Sequence, residues 1–107
     1  MALSSTTIGT SNQTVYTSSG SNAITSIIVC NYSVGTTSNF TLYAVPASGG
    51  NPGTAGNANM IINALTIPPG ETVSLDQEKL VLGNNDTLVA LSSQATTLNI
   101  VISTLAV

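Results

Sequence analysis

The sequence predicts an all-β fold, a single antiparallel β-sandwich or jelly-roll-like domain of about eight short strands over residues 1–107. Three observations predict it. Short runs rich in Val, Ile, Thr and Tyr recur along the whole chain. Clusters of Gly, Pro, Asn and Ser separate them at turn spacing. No window sustains a helical apolar period, and the strong helix formers Glu, Lys, Arg and Gln are scarce.

The elements follow in order. Residues 1–12 are polar, anchored by Leu3 and Ile8, and read as an N-terminal arm or an edge strand. Strands are expected at 13–18 (QTVYTS), 23–33 (AITSIIVCNYS) and 39–45 (NFTLYAV), with SSGSN and SVGTTS as the turns between them. The Gly- and Pro-rich segment 46–58 then predicts a flexible surface loop reaching outward as a contact. Further strands are expected at 59–67 (NMIINALTI), 71–76 (ETVSLD), 78–82 (EKLVL), 86–93 (DTLVALSS) and 97–105 (TLNIVISTL). PPG, GNND and SSQAT supply turns among them. Val73 and Leu75 alternate with Thr72 and Ser74, and Leu80 and Leu82 point with the core.

Charge is rare and localised. Only 5% of residues are charged, and all of them (Glu71, Asp76, Glu78, Lys79 and Asp86) fall between positions 71 and 86. A net charge of −3 with one cation leaves nothing to neutralise phosphates, so nucleic acid is not an expected partner. The same balance removes a polybasic route to a membrane, and no apolar run approaches the roughly 20 residues of a span. The first residues carry neither a basic nor an apolar signal region, which implies synthesis in the cytoplasm. With no His and a single Cys, no triad, zinc centre or other cofactor site is expected, and the chain does not read as an enzyme. Asp76, Glu78, Asn84, Asn85 and Asp86 cluster oxygens that suit calcium, but their spacing is that of tight turns and matches no EF-hand. Cys30, inside ITSIIVC, reads as a small buried hydrophobe.

Period-two reading raises the main functional expectation. Ile27 and Val29 oppose Ile24, Ile28, Cys30 and Tyr32; Ile61, Leu65 and Ile67 oppose Met60, Ile62 and Ala64; Val101 and Leu105 oppose Leu98, Ile100 and Ile102. A chain this small cannot hide two apolar faces per strand. Ile27, Val29, Ile61, Leu65, Val101 and Leu105 are therefore expected to meet another subunit. Glu71, Asp76, Glu78 and Lys79 would form the polar rim of that interface, or guard strand edges against unwanted pairing.

Taken together, AITSIIVCNYS, NFTLYAVPASGG and LDQEKLVLGNNDTLVALSSQATTLNIVISTLAV resemble a group of small all-β virion proteins of tailed bacteriophages. The likeness covers residues 14–107 and is most specific over 75–91. The resemblance implies a structural, non-enzymatic role in the virion: a capsid cement or decoration protein that binds the major capsid protein and forms a homo-dimer or homo-trimer. Tail, baseplate and head-fibre components belong to the same group and are the alternative. A host-surface adhesin or carbohydrate-binding module would need aromatic platforms, for which Tyr16, Tyr32, Phe40 and Tyr43 are the candidates.

Overall fold

Alternating Ile, Val, Leu and Phe positions need a second layer to cover them, and the chain supplies it by folding into two stacked sheets. The computed structural model describes residues 2–75 and 80–107, Ala2 by its main chain alone. Within them lie nine strands: β1 Ala2–Ile8, β2 Gln13–Thr17, β3 Asn22–Asn31, β4 Ser38–Val45, β5 Met60–Ile67, β6 Thr72–Ser74, β7 Leu80–Leu82, β8 Thr87–Ser92 and β9 Leu98–Ala106. A single 3-10 turn, Asn57–Asn59, precedes β5.

Sheet A runs β1-β9-β3-β6, with β7 also on β3, and sheet B runs β2-β8-β4-β5. Every pairing is antiparallel. β6 lies along residues 28–30 of β3 and β7 along 22–24, so the two share one edge of the sheet. Counted that way, each sheet has four strands, and the chain passes between the sheets in jelly-roll order. Residues 2–8, expected as an arm or an edge strand, are the edge strand.

Ile8, Ile24, Ile27, Val29, Leu98, Ile100 and Ile102 point inward from sheet A. Phe40, Leu42, Ile67, Leu88 and Ala90 meet them from sheet B. Each large side chain buried here contributes about 1.5–3 kcal/mol. Val73, Leu75 and Leu80 pack on the same core and Leu82 is inside it, as the alternation in 71–82 predicted.

Two strands break the expected alternation. In β3, Ile24 opposes Thr104 but Ser26 opposes Ser103, so Thr25 is an extra residue, a β-bulge. The Thr25 hydroxyl donates to the Ser103 carbonyl at 3.1 Å. The bulge inverts the phase: Ile24, Ile27 and Val29 all face inward, and Ile28 and Cys30 face outward. Ile27 and Val29, expected at an interface, are thus core residues, 3% and 0% exposed. Cys30, expected inside, is half-buried on the outer face. In β5 the register slips twice against β4, and Ala64 takes a left-handed φ of 55°. Ile61 and Leu65 are exposed, whereas Ile67, predicted to share their face, is buried against the core.

The end of β3 is held by Asn31, which is fully buried. Its amide nitrogen donates to the carbonyls of Thr36 and Ile67, both at 2.8 Å. Its side-chain oxygen accepts from the Ser33 N–H at 3.0 Å and the Ser33 hydroxyl at 2.6 Å. Its main chain accepts from the Gly70 N–H and donates to the Glu71 carbonyl, at 2.9 Å each. Those two belong to the Pro68-Pro69-Gly70-Glu71 turn, where Gly70 has a φ of 80° that a Cβ would disfavour. One side chain therefore ties the 32–37 loop and the turn after β5 to sheet A. Asn31→Ala, which leaves these buried groups unpaired, should lower stability by about 2–4 kcal/mol in urea unfolding.

Candidate interface

A two-sheet sandwich has two outer faces, and this chain treats them differently. After β4 the main chain turns back at Ser48–Asn51, where Gly49 and Gly50 both have positive φ, as a tight reversal requires. Gly53 then passes so close to Val45 and Pro46 that a Cβ there would overlap the Pro46 carbonyl oxygen. The Asn59 side chain closes the segment, accepting from the Gly56 N–H at 2.9 Å and donating to the Thr54 carbonyl at 3.2 Å. In this path Ala55 and Met60 pack on Tyr43, Val45 and Val89, which point outward from sheet B. Residues 46–58, expected to reach away as a contact loop, instead lie back on sheet B and bury a second small core.

The GNND turn fastens that cover. The Asp86 carboxylate accepts from the Ala47 N–H at 2.7 Å and from the Gly83 N–H at 2.8 Å. Asn85, at a left-handed φ of 68°, donates to the Gly50 carbonyl at 2.7 Å. Asn84 accepts from the Gly20 N–H at 2.9 Å. At this turn considered for calcium, the Asn84 and Asp86 oxygens thus accept main-chain N–H bonds and Asn85 uses its amide nitrogen, together holding three loops.

The outer face of sheet A has no such cover among the described residues. Register places its side chains in rows. Leu105, Ala23 and Val81 stand side by side in one row, and Ser5, Val101, Ile28 and Ser74 in another. Leu3 sits beside Ser103, between the two rows and diagonal to both Val101 and Leu105. Leu3, Val101, Leu105, Ile28 and Val81 thus form an apolar belt across the sheet, bordered by Ser, Thr and Asn. Val81 is 67% exposed, Leu3 74% and Leu105 44%. No charged side chain stands on this face among the described residues.

The residues expected at an interface are therefore divided. Val101 and Leu105 lie in the belt. Ile61 and Leu65 lie on β5, at the edge of sheet B, and Glu71 is exposed just before β6. Ile61 also lines an apolar cleft of about 350 Å³ between the sheet edges, with Ile27, Leu42, Ile62, Leu75 and Leu80. Asp76, Glu78 and Lys79 lie outside the described residues. Sequence reasoning missed Leu3, Ile28 and Val81. The signal for Val81 was present, because Leu80 and Leu82 pointing inward send it outward; Ile28 was hidden by the bulge.

Of the four aromatics, Phe40 and Tyr43 are buried and Tyr16 packs on the core, which leaves Tyr32 exposed. That arrangement offers no paired stacking platform for a sugar.

Asp86→Ala should release the 46–59 cover, costing about 2–3 kcal/mol and accelerating amide exchange at Ala47 and Gly83, read by NMR. Comparison with known proteins finds no matching family model, no similar curated protein and no similar solved structure, so the functional reading rests on this geometry and on the residue pattern.

Proposed function

We propose that the chain is a structural, non-catalytic virion protein of a tailed phage. In this reading it is a cement or decoration protein that lays the outer face of sheet A on the major capsid protein. One observation carries this reading: the chain covers the Tyr43, Val45 and Val89 patch of one outer face with its own loop and, among the described residues, leaves the other face bare, apolar along a belt and uncharged. A bare neutral face suits close packing in many copies, because neighbouring copies there meet without like-charge repulsion.

Area sharpens the point. Four strand spacings by seven residues give a face of roughly 19 by 24 Å, on the order of 450 Å². A stable pairwise interface needs about 800 Å² per partner. A single copy would thus hold weakly, while many copies on one shell would hold through repetition. The jelly-roll fold agrees with a capsid-associated role by analogy alone, since that fold serves many functions.

Two measurements test the reading. Gold-tagged antibody should label intact particles densely over the head. Label confined to the tail or one vertex would mark a tail or head-fibre component, and unlabelled particles would remove the virion role. Separately, Val81→Asp and Leu105→Asp should each weaken binding to isolated shells by at least about tenfold, read by co-sedimentation, and leave the thermal midpoint within a few degrees. Undiminished binding by both variants would move the contact off sheet A.

A further inference from the structure

Two of the described sheet edges are blunted, and a third is not. β2 slips register between Thr14 and Tyr16, and β5 slips twice and carries the left-handed Ala64. Such irregularities stop other strands from adding on. β1 has none of them. All seven residues from Ala2 to Ile8 pair with β9 in unbroken register, and the strand contains no Pro, no Gly and no charge.

The direction of its free hydrogen-bonding groups follows from β9. The Tyr32 N–H donates to the Thr97 carbonyl, so odd-numbered residues of β9 turn their main chain to β3 and even-numbered ones turn theirs to β1. The partners of those even residues are Ser4, Thr6 and Ile8. Leu3, Ser5 and Thr7 therefore aim their N–H and C=O groups away from the sheet. Gln13 agrees with this assignment, since its side chain reaches the Thr7 carbonyl from outside at 3.3 Å.

We propose that β1 pairs antiparallel with β1 of a second copy, about a two-fold axis at Ser5. Ser5 then stands opposite the copy's Ser5, and Leu3 opposite the copy's Thr7. These odd positions carry the outward groups, so each facing pair exchanges both main-chain bonds. The copy's Leu3 N–H replaces the long Gln13 bond at the Thr7 carbonyl. A second copy fits this edge better than a charged or bulky strand would. The facing side chains are small hydroxyls beside one Leu, and β1 carries no charged side chain, so the paired strands meet without repulsion. Pairing joins the two five-stranded sheets into one and doubles the bare outer face, which by itself is too small for stable association. The contact concerns β1 alone and does not depend on the virion reading.

Sedimentation equilibrium of the purified full chain, over concentrations of order 1 to 100 µM, tests it. The expected species has twice the 10.8 kDa monomer mass. In it the amides of Leu3, Ser5 and Thr7 exchange slowly, and they become fast on dilution to monomer. Ser5→Pro removes an N–H that β9 does not use and should give a monomer with unchanged β-type circular dichroism. A monomeric wild type throughout the range overturns the proposal, as does an oligomer that persists in the Ser5→Pro variant. If that variant fails to fold, fast exchange at Leu3, Ser5 and Thr7 in the wild-type oligomer overturns it equally.

Discussion

The Asp86 carboxylate accepts one main-chain N–H from its own turn and another from Ala47, at the root of the long loop. Hydrogen bonds to an ionised acceptor are the stronger class, and this pair sits where three loops converge. With the loop held there, Ala55 and Met60 stay on Tyr43, Val45 and Val89 and keep those three side chains of sheet B buried. The anchor thus decides which of the two outer faces is closed. The proposed shell contact follows from the other face having no such cover among the described residues.

In a chain with so few charges, neutral polar groups take over the architectural work. Asn31 uses both donors and its acceptor oxygen inside the protein, and Asn59, Asn84 and Asn85 each fasten a loop. Ser and Thr occupy the exposed positions that Lys and Glu fill in most soluble domains. Hydroxyls give solubility without long-range repulsion. That choice costs a single isolated copy some colloidal protection and makes dense packing of copies easier.

Edges and faces pose the same problem in this fold: unsatisfied groups must be paired or blunted. Register slips handle β2 and β5. β1 and the outer face of sheet A are left open together, on adjoining parts of one sheet. A cement role would use both, one against the shell and the other against a neighbouring copy.

The all-β class, the strand positions and the inward set of β9 were legible in the sequence, because period-two alternation is a local property that each strand carries by itself. The turns at PPG and GNND were legible for the same reason, since their φ requirements select their residues. Val101 and Leu105 could be placed on an outer face from alternation alone. Ile27 and Val29 could not be placed, because one extra residue at Thr25 reverses the phase and only the pairing with β9 reveals it. The loop over sheet B was equally hidden. Its Gly and Pro content describes a flexible surface segment, whereas its path is set by Asp86 and Val89, residues distant in sequence. What the sequence determined by itself was the pattern within each strand; which face ended up covered, and which edge stayed open, was decided by long-range contacts that exist only once the two sheets are stacked.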